Sequence, residues 1–101
     1  MRRIKDEFQQ LDYVFKNASN VTDAISLEVI AASYETAKTE KPFAAELARR
    51  RYREREHRHK TCRQLFISEA QYYKLLSSFL RIAKNVEEKI LRDQTETPPA
   101  T

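Results

Sequence analysis

Glycine is absent from the 101 residues, and proline occurs only as Pro42, Pro98 and Pro99. Tight β-hairpins rely on residues that tolerate positive φ, so a chain without glycine has few ways to reverse between strands. A single cysteine, Cys62, excludes an internal disulfide, and the opening MRRIKDEFQQ lacks the apolar segment of a secretory signal, which together predict a cytoplasmic protein. No apolar run approaches the roughly 18 to 20 residues that span a bilayer, so no membrane partner is expected. What is present suits helices: 34% of residues are charged and 41% are hydrophobic, enough apolar surface to bury a core and to exclude a disordered polyelectrolyte. The length matches one domain, and an all-α fold is expected.

Charge is unevenly placed. Residues 1 to 45 carry six Lys/Arg against seven Asp/Glu, whereas 46 to 101 carry thirteen against eight. The run RRRYREREHRHK, Arg49 to Lys60, holds seven cations and two acids, which points to a polyanionic partner unless the run is an ordinary solvated helix face.

Apolar periodicity predicts about five helices. Ile4, Phe8, Leu11 and Phe15 recur at steps of four, three and four, marking a first helix over 1–16 that ends near NASN. Thr22 followed by Asp23 offers a cap for a second helix with Ile25, Val29, Ala32 and Thr36 on one face. Pro42 suits the first turn of a third helix whose inner face holds Phe43, Leu47 and Ala48 and whose far end is the basic segment Arg49 to Arg55. Ser68 caps a long last helix in which Tyr72, Leu75, Phe79, Ile82, Val86 and Ile90 keep helical spacing, and which can run past Leu91. The predicted layout is a small helical bundle forming a single domain over 1–93, with N-terminal helices in 1–41, a helix-turn-helix portion in 42–93, and a disordered tail over 94–101.

A helix-turn-helix requires a small residue where its helices cross, apolar residues on both inner faces, and a cap at the start of the second helix. The segment from Arg58 to Ser77 meets these needs. Cys62 is the small crossing residue, supported by Thr61; Leu65 and Ile67 bracket the turn, Ser68 caps, and Tyr72 and Leu75 return the second helix onto the first. Ser68, Glu69, Ala70, Tyr73, Lys74 and Ser77 are then left on the outer face, where base edges in a major groove would be read. Arg58, His59, Lys60 and Arg63 lie on or before the helix that crosses the backbone, and with Arg81 they are the candidate phosphate contacts.

The stretch RRYREREHRHKTCRQLFISEAQYYKLLSSFLRIA resembles the C-terminal helix-turn-helix of phage late-transcription activators of the RinA and ArpU type, which in turn resemble region four of sigma factors. The likeness rests on Arg51-Tyr52, on Leu65-Phe66-Ile67-Ser68 at the turn, on Tyr72-Tyr73-Lys74, and on Ile82-Ala83. It covers about Phe43 to Val86, with a weaker likeness back to about Ile25. The resemblance implies a double-stranded DNA-binding regulator of phage or prophage origin in the cytoplasm of a bacterial host cell, with RNA polymerase as a further partner. Two departures stand out. Phe66 occupies a turn position usually held by glycine or a small polar residue, so either the turn takes another shape or the register shifts by one. Cys62 replaces the more usual alanine, a change that a buried thiol accommodates.

Other chemistries receive little support. His57, His59 and Cys62 could suggest zinc, but on one helix residues two apart diverge, and no fourth ligand is evident. No glycine-rich phosphate loop, isolated acid pair or nucleophile with a spaced base is present, so neither an enzyme nor a cofactor is expected. The stripe Val86, Ile90 and Leu91 could serve as a homodimer seam. Two competing functional readings are a DNA-packaging component of the small-terminase kind, binding viral DNA as an oligomer, and a helical adaptor that docks on RNA polymerase.

Overall fold

The computed structural model describes residues 4–95, and among them all regular structure is helical. Five α-helices follow one another: α1 (Asp6–Lys16), α2 (Ala24–Glu40), α3 (Pro42–Ala48), α4 (Arg58–Leu65) and α5 (Glu69–Thr95). A 3₁₀ turn, Ala18–Asn20, follows α1, and a π turn, Arg49–Arg53, continues α3 without a break. The expected all-α bundle with a long last helix is therefore the observed fold.

α1 begins at Asp6, later than the periodicity suggested; residues 1–3 of the predicted first helix lie outside the described residues, and Ile4 still packs against the core. Phe8, Leu11 and Phe15 are buried as their spacing predicts. Asp23 caps α2, accepting from the Ser26 amide at 2.8 Å, so the cap falls one residue after Thr22. The inner face of α2 is Val29, Ser33 and Ala37; of the four positions expected there only Val29 is buried, and Ile25 faces solvent. Pro42 opens α3, where a missing N–H leaves nothing unsatisfied. Ala44, Leu47 and Ala48 are buried, but Phe43 is 48% exposed because it lies one step around from that face.

α5 is the spine. Its 27 residues make a rod of about 40 Å. Tyr72, Leu76, Phe79, Leu80, Ala83 and Ile90 are its buried face, against α1, α2 and α3. Leu75 and Ile82, expected at the centre of that face, flank it and are only partly buried. Around Phe79 the rings of Phe15, Tyr34 and Tyr52 pack with centroids 5.1, 5.3 and 6.2 Å away, and Phe15 and Tyr52 stack on each other. Aromatic pairs at these separations add about 0.5–1.5 kcal/mol each beyond area burial, which makes this cluster the centre of stability. Ile90 is buried within the protomer and Val86 half-buried, so of the expected dimer seam only Leu91, 43% exposed, faces out. Gln94 and Thr95 are still helical, contrary to the expected tail; its remainder, 96–101, lies outside the described residues.

Candidate nucleic-acid interface

α4 and α5 form the two helices of the predicted motif. α4 starts where the His57 ring accepts a hydrogen bond from the His59 amide at 3.2 Å, capping the helix. His57 stands outside the helix, so the divergence expected of residues two apart on one helix does not apply, and its ring turns back to stack on that of His59 at 5.0 Å. Thr61, rather than Cys62, is the fully buried crossing residue. Its hydroxyl donates to the Glu56 carboxylate at 2.7 Å, which satisfies the only polar atom it carries inward. Cys62 is half-buried, and burial pushes its thiol pKa upward, so it packs as a small apolar group.

The turn resolves the question raised by Phe66. This residue adopts φ 57°, ψ 46°, the left-handed conformation that glycine would take without steric cost. Its amide and that of Ile67 both donate to the Cys62 carbonyl, closing the end of α4. The ring is 92% exposed, so the Cβ clash of about 1–2 kcal/mol is not offset by burial. Phe66 thus takes the glycine-like place in the turn with its side chain in solvent, while the inner positions on either side are shifted by one, to Thr61 and Leu76. Two residues later Ser68 and Gln71 cap each other: the Ser68 hydroxyl accepts from the Gln71 amide at 3.1 Å, and the Gln71 side chain accepts from the Ser68 amide at 2.8 Å. This reciprocal capping box starts α5 at a defined residue and orients its first turn.

Ser68, Glu69, Ala70 and Lys74 are exposed as expected. Tyr73 and Ser77 are half-buried. Tyr73 lies edge-on to Tyr72 at 5.3 Å, and its hydroxyl accepts from Arg58 at 3.0 Å, so it presents one side of its ring. Of the expected phosphate contacts, His59, Lys60 and Arg63 are exposed. Arg58 is not a free cation, being bonded to Tyr73 with the Glu69 carboxylate 3.9 Å away. Arg81 is exposed but lies over the Phe8 ring at 5.6 Å, seven residues from Lys74 and so two turns further along the same side of α5.

The arginine run behaves differently from its sequence reading. Arg49 pairs with Glu46 and Glu54, and Arg50 with Glu46 and Glu56 while also donating to Gln64 at 2.6 Å. Arg51 bonds Asp12 and the Tyr72 hydroxyl, and Tyr52 donates to Asp12 at 2.5 Å. Burial and the adjoining Asp12 carboxylate hold the Tyr52 phenol well above its ordinary range. Arg53 covers the Tyr34 ring at 4.3 Å. Most of the charge from Arg49 to Arg53 is thus engaged within the protein, Arg51 in a largely buried pair with Asp12 and Arg49 in exposed local ones.

No family model, curated protein or solved structure matches this chain. Fold, turn and charge are what bear on its function. After the arginine run, residues 57 to 86 carry six Lys/Arg against a single carboxylate, Glu69, so the positive excess passes to α4 and the first half of α5. Gln71 and Leu76 were missed in the sequence, although Ser-x-x-Gln is a readable capping signal and Leu76 stands four residues after Tyr72. Exposure of Phe43 ran against its expected place on the inner face of α3, whereas the position of Phe66 in the turn was the one hint that its ring would lie outside.

Proposed function

We propose that the chain is a sequence-specific double-stranded DNA-binding transcription regulator, of phage or prophage origin, that acts in the bacterial cytoplasm and reads a major groove with the start of α5. The observation that carries this reading is the turn itself. Left-handed Phe66 and the Ser68–Gln71 box bring α5 out of α4 with Ser68, Glu69, Ala70 and Lys74 facing solvent, while Tyr72 and Thr61 are buried behind them. An α-helix of ordinary width fits a B-form major groove, and these side chains are of a size to reach base edges. His59, Lys60 and Arg63 on α4 supply cations beside that helix for backbone phosphates.

Selection of bound fragments from random duplexes tests this directly, followed by binding measurements across salt concentration. An enriched site with a steep salt dependence is expected; a steep dependence without any enriched site would identify nonspecific binding and end the reading as a regulator.

One observation favours a protein partner such as RNA polymerase. Phe43, Ile67 and Leu75 line an open groove of about 430 Å³ edged by Lys41 and Lys74, and Phe66, which precedes Ile67 in the chain, is also exposed. Exposed aromatics at a cationic rim are the kind of surface on which a partner docks. Loss of polymerase binding on Phe66→Ser and Phe43→Ser, with DNA binding unchanged, is the outcome this second reading expects.

A further inference from the structure

A separate cleft opens beside the motif, where five elements converge. Lys16 ends α1, Arg51 comes from the π turn, Arg55 from the bend that follows, His57 caps α4, Arg58 begins it, and Tyr73 stands on α5; together they enclose about 360 Å³. The lining carries four permanent cations. Three carboxylates adjoin them among the described residues: Glu56 in the lining, Asp12 behind it, and Glu69, 3.9 Å from Arg58. Glu56, 8% exposed, already accepts from Thr61 and Arg50, and Asp12 behind the cleft is shared by Lys16, Arg51 and Tyr52. The cleft therefore keeps a positive excess after its internal pairs are formed.

Two details show that these cations are held in place. Arg51 is 16% exposed and fixed between Asp12 and the Tyr72 hydroxyl. Arg55 sits at φ 53°, a conformation costly for any residue with a Cβ, and its guanidinium donates to the Lys16 carbonyl at 3.1 Å. One donor is left over: Nε of Arg58 is buried and finds no hydrogen-bond partner among the described residues.

We infer that this cleft binds a phosphoryl group, presented either by the backbone of bound DNA or by a free nucleotide. A tetrahedral oxyanion accepts from several directions at once, which matches guanidinium forks and an ammonium arriving from separate elements better than a planar carboxylate would. The rings of Tyr73 and His57 add flat surface at the same opening for a sugar or base. The inference deepens the proposed function when the phosphate belongs to DNA, and it rests on that reading only in that case. Tyr73 and Arg58 connect the cleft to α5, so a phosphate settled there also fixes the first turns of the reading helix.

The test uses the full chain, ¹⁵N-labelled, with the Nε–Hε signals of Arg51, Arg55 and Arg58 followed during titration at constant ionic strength. One arm adds inorganic pyrophosphate, the other a mixed-sequence DNA duplex. Arg55→Gly removes the guanidinium and relieves the backbone strain, so it keeps the fold; Lys16→Ala is a second, exposed change. Saturable shifts with pyrophosphate, weakened at least about tenfold by each substitution, establish a site for a free phosphate. Shifts with the duplex alone, with a shallower salt dependence in both variants, assign the site to the DNA backbone. Neither probe moving these signals overturns the inference, and so does duplex affinity unchanged by both substitutions when pyrophosphate is silent; the DNA-binding reading survives that last result. Saturable pyrophosphate binding with no duplex binding would leave the cleft and remove the regulator.

Discussion

Phe66→Gly should stabilise the protein, although it deletes the largest exposed ring on the motif. In the left-handed conformation at φ 57° and ψ 46° the Cβ of any L-residue crowds its own carbonyl, at a cost of about 1–2 kcal/mol that glycine escapes. Against this, glycine gives the unfolded chain more freedom, which costs about 0.4–1 kcal/mol. The ring, 92% exposed, contributes almost no buried area to lose. The balance is a gain of roughly 0.5–1 kcal/mol, which for a domain of this size raises Tm by about 2–8 °C. Urea denaturation with an unchanged m-value and a higher midpoint would report it cleanly. If the substitution instead costs about 3 kcal/mol or more, the ring is packed in a core, the turn is not left-handed at this residue, and the register of the helix-turn-helix is wrong.

Lys74→Ala should change base preference in a site-selection experiment, whereas Lys60→Ala should weaken all duplexes alike and reduce the salt slope by about one; equal effects of both on every sequence would contradict the division of roles. Asp12→Ala should cost about 3–5 kcal/mol in urea titrations, because it strands the largely buried Arg51 guanidinium and the Tyr52 hydroxyl; a loss below about 1 kcal/mol would mean that the pair contributes little. Stability should fall with acid. Hydrogen bonds from Arg49 and Arg50 hold the Glu46 carboxyl below its ordinary range, and those from Thr61 and Arg50 do the same for Glu56. The unfolded chain therefore binds protons at these groups before the folded one does, so their contribution is complete above the ordinary carboxylate value of 4.5 and disappears as pH drops through the depressed folded values. A Glu46→Gln/Glu56→Gln double variant should show a shallower decline of urea midpoint with acid; an unchanged decline would place the acid sensitivity elsewhere.

The groove lined by Phe43 of α3 borders the outer face of α5. In the proposed reading α5 meets DNA with Lys74, and the groove of Phe43, Ile67 and Leu75 has that lysine at its rim. A partner in the groove and DNA on the helix would therefore sense each other through Lys74. Binding of one measured in the presence of the other would reveal this coupling.

Much of the molecule was legible one residue at a time. Absence of glycine and regular apolar steps predicted helices; Phe8, Leu11 and Phe15 marked the stripe of α1, Pro42 the start of α3, and Ser68 the start of α5. These features are local, since propensity, capping and periodicity act within a few residues and leave their mark in order along the chain. Small rotations were not legible. Whether Phe43 or Ala44, Cys62 or Thr61, Leu75 or Leu76 turns inward depends on where the neighbouring helix lies, and the apolar pattern tolerates either choice.

The charge run shows the division most sharply. By itself the sequence determined that seven cations crowd between Arg49 and Lys60, and that a polyanion would be drawn to whichever of them stay free. Only the tertiary structure decided which do. Asp12 is 39 residues before Arg51, and its carboxylate, with Glu46, Glu54 and Glu56, neutralises the first half of the run. An ion pair is set by distance in space, which the chain order does not contain, so the same arginines can be a binding surface or a structural brace until the helices are packed.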